Sequence, residues 1–164
     1  VALHSLTSSH RNFCQILCER GAEYAILFLQ RGENPMTFER YPELDTLLLA
    51  NPGAVRDYKP EWGWDRYMVG GKMFAALLTT ADDCAPEYQN HPMLTVKVAP
   101  EEGNFLQRQY PDILPGYYMN KQHWISVRLD GAVPQEEVMR LCKSGYALIF
   151  AKLTKKMQKE IFGE

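Results

Sequence analysis

The residue types that most often carry out chemistry are few in this chain and widely separated. It has four histidines and four cysteines among 164 residues. The sequence contains no glycine-rich phosphate loop, no Gly-x-Ser-x-Gly nucleophile turn and no His-Glu-x-x-His zinc motif. A nucleophilic pair of His123 with Cys84 or Cys142 requires contact between distant parts of the chain. We therefore expect a protein that is not an enzyme and that uses no cofactor.

A metal site is not expected either. His10, Cys14 and Cys18 recur at every fourth position along an N-terminal helix predicted at about residues 12–30. They offer three ligands on one stripe, whereas a structural zinc site needs four. Because no fourth ligand is evident, a buried or incidental stripe is the favoured interpretation.

Lysines and one tryptophan are the better candidates for a binding site. Lys72 and Lys97 lie on neighbouring predicted strands. If both face the same side, they form with Lys121 a cationic cluster suited to phosphate or carboxylate groups. Solvated surface lysines are the alternative. Trp62, in a loop beside Gly63, is expected to present an exposed aromatic surface.

Four further side chains allow two interpretations each. Asn120 either contacts a ligand or braces its own loop through a local hydrogen bond. His123 is either a hydrogen-bonded structural residue or a base, and the structural role is favoured. Trp124 and Phe74 lie in apolar strands, so we expect them to pack in the core rather than to stack on bases.

Composition and charge exclude several classes of protein. Hydrophobic residues make up 46% of the chain and charged residues 23%, as in a globular domain rather than a disordered or collagen-like chain. The net charge of −2 disfavours a strongly basic nucleic-acid binder, although residues 120–164 taken alone are net positive. The scattered cysteines indicate reduced thiols, and no apolar run approaches the roughly 20 residues that span a bilayer. We expect a cytoplasmic protein without membrane contacts.

Local patterns predict an α+β fold. Gly70 and Gly71 supply the positive φ angles of a tight antiparallel hairpin, and a kink is expected at Ser144-Gly145. Helices are predicted over residues 42–50, 100–110, 134–150 and 155–162, strands over 66–69, 72–78, 94–98 and 124–129, and an irregular loop over 111–120. Because helices and strands do not alternate as βαβ units, we expect two layers, a mainly antiparallel sheet covered by helices.

The chain divides at a Gly-Glu-Asn-Pro break over residues 32–35. Residues 1–35 are interpreted as an N-terminal extension and residues 36–164 as the domain. The extension is either a start-site artefact upstream of an initiator at Met36, or a genuine helix that packs on the domain, because a hydrophobic stretch is more stable when covered.

Several short motifs resemble the YjbR/MmcQ family of bacterial proteins over about residues 37–162. The motifs are Asn51-Pro52-Gly53-Ala54, Trp62-Gly63-Trp64, Val69-Gly70-Gly71-Lys72-Met73-Phe74-Ala75, Leu94-Thr95-Val96-Lys97, Met119-Asn120-Lys121-Gln122-His123-Trp124 and Ser144-Gly145-Tyr146. The resemblance implies a CyaY-like, frataxin-type fold and a DNA-binding protein with a double-wing motif. The family usually has histidine two residues before Asn120, where this chain has Tyr118, so any role of a titrating imidazole there is lost.

Two functions follow as expectations. The first is a non-enzymatic DNA-binding protein, in which Tyr118 or Trp62 stacks on bases and the cations Lys72, Lys97, Lys121 and Arg128 meet phosphates. The alternative is a binding module for a small anionic ligand or a protein partner, in which the same lysines and aromatic residues line a cleft at the sheet edge.

Overall fold

The computed structural model describes residues 37–164, which form one sheet and five helices. In chain order the elements are α1 (Thr37–Arg40), α2 (Pro42–Leu49), β1 (Val55–Lys59), β2 (Trp64–Val69), β3 (Lys72–Thr79), β4 (Pro92–Lys97), α3 (Pro100–Gln109), β5 (Ile113–Pro115), β6 (Trp124–Arg128), α4 (Gln135–Phe150) and α5 (Lys155–Phe162). The predicted extension over residues 1–35, with His10, Cys14 and Cys18, lies outside the described residues.

The six strands form one antiparallel sheet in the order β1-β2-β3-β4-β6-β5. The predicted hairpin is confirmed, because Gly70 and Gly71 have φ angles of 55° and 74° between β2 and β3. A bulge follows: Met73 pairs with Met68 and Ala75 with Tyr67, which leaves Phe74 as the extra residue. The α+β fold class with a mainly antiparallel sheet is therefore confirmed.

One face of the sheet carries the main core beneath the helices. Helix α4 packs across β3 and β4, and Tyr146 of this helix meets Phe74 edge-on at 5.5 Å between ring centroids. The Tyr146 hydroxyl donates a hydrogen bond to the carbonyl oxygen of Pro52 at 2.7 Å. Helix α4 runs unbroken through Gly145, where a kink was expected. Phe74 is fully buried and Trp124 is 7% exposed, as predicted.

The opposite face of the sheet is covered by loops instead of helices. A smaller buried cluster lies there, with Trp64, Tyr88 and Met93 at its centre. Further along this face the Thr95 and Ser126 hydroxyls, both fully buried, lie 2.7 Å apart in a hydrogen bond. Because loops cover a sheet less completely than helices do, this face has room for a groove.

Three elements were not predicted: the short helix α1 and the two edge strands, β1 and β5. All the residues of β1 are exposed except the half-buried Lys59, so the strand lacks the alternation that marks a half-buried strand. Strand β5 has three residues and ends at Pro115, inside the segment predicted as a loop. Within residues 37–164, no helix is long and apolar enough to cross a bilayer.

Candidate ligand-binding site

A groove of about 550 Å³ opens on the loop-covered face of the sheet. Its lining comes from the turn before β2, the end of β3, the segment after β3 and the loop between β5 and β6. The lining residues are Glu61, Trp62, Trp64, Thr79, Thr80, Ala81, Asp83, Tyr117, Tyr118 and Met119. Its volume falls within the range of about 300–1,000 Å³ typical of small-molecule sites.

Aromatic rings form a continuous row along the groove. Trp62 meets Trp64 edge-on at 5.4 Å between centroids, and Trp64 lies 6.3 Å from Tyr117. Tyr117 in turn meets Tyr118 edge-on at 4.6 Å and lies 5.3 Å from Tyr88. The two ends of the row face solvent, with Trp62 54% and Tyr118 79% exposed. The groove therefore offers open ring faces to a ligand.

Tight turns position both exposed rings. Trp62 and Gly63 each donate a backbone hydrogen bond to the carbonyl oxygen of Lys59, and Gly63 has a φ of 66°. This turn lets Trp62 face outward, while the next aromatic residue, Trp64, enters β2 and is buried. Tyr118 has a φ of 51°, a left-handed conformation that is uncommon for a bulky residue.

Most hydroxyl groups beside the groove already have partners. The Thr80 hydroxyl donates to the Tyr88 carbonyl oxygen and accepts a hydrogen bond from the His91 backbone N–H at 3.0 Å. The Tyr88 hydroxyl donates to the carbonyl oxygen of Pro115 at 2.8 Å. Burial, followed by a hydrogen bond with Cys84, raises the pKa of Tyr117 above its ordinary value. These hydroxyls are held as neutral structural groups.

Two carboxylates remain available in the lining. Asp83 is exposed and makes no hydrogen bond or ion pair with the other described residues. Glu61 has one ion-pair contact, at 3.7 Å from the Lys59 ammonium, and its side chain is 67% exposed. Because exposed pairs of this kind contribute only about 0–1 kcal/mol, Glu61 remains free to meet a ligand.

Lys72 and Lys97 do not lie together. Lys72 pairs with Val69, whose side chain belongs to the helix-side core, so the strand register places Lys72 on that face. Lys97 lies on the loop-covered face, 5.3 Å from the centroid of the Trp124 ring. Burial lowers the pKa of Lys97 from its ordinary value, and the positive charge of Lys152 lowers it further. Neither Lys72 nor Lys97 lines the groove.

The two other predicted cations are engaged in local contacts. The Lys121 ammonium donates to the carbonyl oxygen of Gly116 at 2.7 Å. Arg128 lies between two carboxylates, 3.4 Å from Asp112 and 3.7 Å from Asp130. Both cations thus stabilise the loops at the ends of β5 and β6, which reduces their capacity to neutralise phosphates.

Asn120 braces its own loop, one of the two roles considered for it. Its side-chain oxygen accepts a hydrogen bond from the Gln122 backbone N–H at 2.9 Å. The backbone of His123 bonds to Asn120 on one side and to Val98 on the other, and its imidazole is half-buried outside the groove. Of the eight predicted binding residues, Trp62 and Tyr118 line the groove.

Several groove residues carry no local signal in the sequence that marks them as binding residues. Tyr117 follows an unremarkable loop glycine, and Asp83 lies in a polar segment between two strands. Two sequence features could have indicated the groove: the Trp62-Gly63-Trp64 motif and the Tyr117-Tyr118 pair. Neighbouring aromatic residues outside a strand pattern often lie at the protein surface. Their meeting in space depends on the long-range order of the sheet, which spacing alone does not reveal.

The fold and the groove define a small α+β domain, with helices on one sheet face and an aromatic groove on the other. The family model YjbR matches residues 49–148, and the chain belongs to the YjbR family. Over 104 residues the chain is 30% identical to the uncharacterized protein YjbR of Escherichia coli K12. This alignment covers 63% of this chain and 81% of that relative. It is also 31% identical over 104 residues to the uncharacterized protein YbdF of Escherichia coli O157:H7, covering 63% and 77%.

Solved structures agree on the fold. The Deinococcus radiodurans protein DR2400 superimposes with a TM-score of 0.64 at 31% identity, covering 74% of this chain and 86% of that one. A Pseudomonas syringae protein superimposes with a TM-score of 0.57 at 23% identity, covering 66% and 97%. The MmcQ name and the CyaY-like label stay predictions.

Proposed function

We propose that this protein is a non-enzymatic binding module that holds a small ligand in the aromatic groove. The observation that carries the proposal is the row of rings that ends in the exposed faces of Trp62 and Tyr118. Exposed aromatic area of this kind is costly in water and is commonly retained for recognition. The rings bury apolar ligand surface, while the groove's few free polar groups set the ligand's orientation.

Replacing Trp62 tests the proposal directly. The full-length protein is screened by thermal shift against nucleotides, phosphorylated metabolites, amines and uncharged aromatic compounds. For the compounds that raise the melting temperature, we expect Trp62→Ala to weaken binding about tenfold or more, the equivalent of losing 1.4 kcal/mol. Trp62→Phe should retain most of the affinity, because it keeps a ring at that position.

Phe105→Ala is the matched control. Phe105 is 58% exposed on α3, so its removal tests the loss of an exposed aromatic ring that does not line the groove. Its ligand responses should equal those of the unmodified protein. If no compound raises the melting temperature, or if Trp62→Ala binds as well as the unmodified protein, the groove is not the binding site.

Nucleic acid is a second candidate, favoured by a specific observation at another part of the same sheet. The pKa of Lys97 is lowered partly by Lys152, so these two positive charges lie close enough to repel each other. Neither ammonium makes an ion pair with the described residues. A phosphate bound between them would relieve the repulsion. This arrangement supports the family's DNA-binding expectation through Lys97 and Lys152, with a role for Lys72 and Lys121 less favoured.

Salt dependence measures the phosphate contacts. If duplex or single-stranded DNA binds through Lys97 and Lys152, Lys97→Ala/Lys152→Ala should reduce the slope of log K against log salt by about two. Lys121→Ala should leave the slope unchanged, because this ammonium is bonded to Gly116. Fluorescence anisotropy with labelled DNA at several salt concentrations gives both values. An absence of binding at low salt, or an equal slope in the double variant, excludes this candidate.

A further inference from the structure

We infer that the ligand of the aromatic groove is a small organic cation, an alkylated or quaternary ammonium compound. This inference rests on the proposed function and adds the chemical class of the ligand. It departs from the anionic ligand expected from the lysines of the sequence. Three features of the groove carry it: the ring faces, the two exposed carboxylates and the absence of cationic residues from the lining.

The ring faces attract positive charge. The π face of an indole carries negative potential, so a cation within about 6 Å of the ring centroid is attracted to it. Trp62 already shows this behaviour: the Lys59 ammonium lies 5.9 Å and the Arg66 guanidinium carbon 5.8 Å from its centroid. Trp64, Tyr117 and Tyr118 extend the same kind of surface along the groove.

The charged side chains of the lining are both carboxylates, Glu61 and Asp83. The Thr79 hydroxyl is bonded to that of Thr37 at 2.9 Å, and the Thr80 hydroxyl is bonded to backbone groups. The carboxylates of Glu61 and Asp83 therefore remain as the charged groups that a ligand meets. An anionic ligand would be repelled by both carboxylates, whereas an ammonium would be attracted.

No cationic residue is part of the groove lining, and the Lys59 ammonium outside it makes only an exposed contact with Glu61, at 3.7 Å. Lys121 is anchored on Gly116, and Arg66 is paired with Asp57. A metal ion is a poorer fit than an organic cation, because residues 37–164 bring no three metal-ligating side chains together. The apolar rings also favour a cation that carries alkyl groups, since those groups bury surface that a hydrated metal ion would not cover.

Choline and its uncharged isostere 3,3-dimethylbutan-1-ol have nearly the same shape but differ in charge. Comparing their affinities therefore shows how much of the binding depends on the positive charge. Binding to the full-length protein is followed by tryptophan fluorescence and by calorimetry. We expect choline to bind at least tenfold more tightly than the isostere. Glu61→Gln/Asp83→Asn should weaken choline binding several-fold and leave isostere binding unchanged. Measured by calorimetry, Trp62→Ala should weaken choline binding at least tenfold.

Glu87→Gln is the matched control for the loss of a carboxylate. Glu87 is exposed in the same β3–β4 connection as Asp83 but does not line the groove, so choline should bind this variant normally. Far-UV circular dichroism and the melting temperature show whether each variant is folded. A several-fold loss in Glu87→Gln equal to that in the double variant would indicate general surface attraction and overturn the inference.

The remaining outcomes distinguish this inference from the proposed function. If the isostere binds as tightly as choline, the cation inference is overturned and the groove remains a ligand site. The cation inference is likewise overturned, and the groove remains a ligand site, if neither of the two binds but an anionic or uncharged compound of the screen binds in a Trp62-dependent way. If no compound shows Trp62-dependent binding, both the inference and the proposed function fail.

Discussion

Gly145→Val is expected to destabilise the protein by about 3 kcal/mol, the upper part of the usual range for overpacking a core. Gly145 lies in the middle of α4, where this helix presses directly on the backbone of β3 and β4. A Cβ atom at this position would lie 2.6 Å from a methyl carbon of Val96 and 3.1 Å from the carbonyl oxygen of Phe74. Both neighbours are fully buried and cannot move aside cheaply.

Valine at an exposed position of the same helix separates this effect from helix propensity. Lys143 is exposed two residues earlier, so Lys143→Val changes the helix without entering the core. It should cost less than about 1 kcal/mol, as expected for a surface position. Urea unfolding of both variants gives the free energies of unfolding. If Gly145→Val is no less stable than Lys143→Val, the helix and sheet are not in the close contact described.

The close packing at Gly145 explains why the kink predicted there from the sequence was wrong. A glycine inside a helical pattern weakens the helix by about 1 kcal/mol relative to alanine, which suggested a kink. In the structure the absence of a side chain at Gly145 instead allows helix α4 to lie close to the backbone of β3 and β4. Sequence periodicity describes which face of a helix is apolar, but it does not report how near the facing backbone is.

The central part of the sheet was predictable because each strand carries a local signal. Gly70 and Gly71 fix the hairpin by their positive φ angles, and Leu94 to Val98 alternate between two faces. The edge strand β1 has no such signal, because its exposed residues face solvent and its pairing depends on the backbone of β2. Edge strands are defined by their neighbours more than by their own residues.

The candidate site was predictable only in part, for a similar reason. Trp62 and Tyr118 were selected individually, since exposed aromatic residues in loops are recognisable. The expected lysine cluster depended on strand register, and the bulge at Phe74 helps to set that register in β3. A one-residue change of register moves a side chain to the other face of the sheet. Sequence spacing therefore could not decide whether Lys72 and Lys97 share a face.

Asp65→Asn is expected to stabilise the protein at neutral pH, by up to about 3 kcal/mol. Asp65 is 2% exposed on β2, and one of its carboxylate oxygens has no hydrogen-bond partner among the described residues. Burial raises the pKa of Asp65 to about 6, an effect that the positive charge of Arg56 opposes. The nearby Arg56 guanidinium is instead bonded to Asp45 at 2.8 Å. An amide at position 65 removes the buried negative charge while keeping the shape of the side chain.

The direction in which stability changes with pH follows from the raised pKa of Asp65. Because the pKa rises from 3.8 in the unfolded chain to about 6 in the folded protein, the folded state binds the proton more tightly. The stability that this proton provides is therefore fully present below pH 3.8 and is lost as the pH rises through about 6. The difference in unfolding free energy between Asp65→Asn and the unmodified protein should grow across this window and stay constant above it.

Urea unfolding at pH values from 4 to 8 measures this difference, and the titrating groups that do not interact with Asp65 cancel between the two proteins. Asp82→Asn is the matched control, because Asp82 is exposed in the segment after β3 and has no partner among the described residues. Its difference from the unmodified protein should stay nearly constant with pH. If Asp65→Asn is less stable than the unmodified protein at pH 8, the Asp65 carboxylate is held by a favourable charged contact, and burial is not the dominant influence on it.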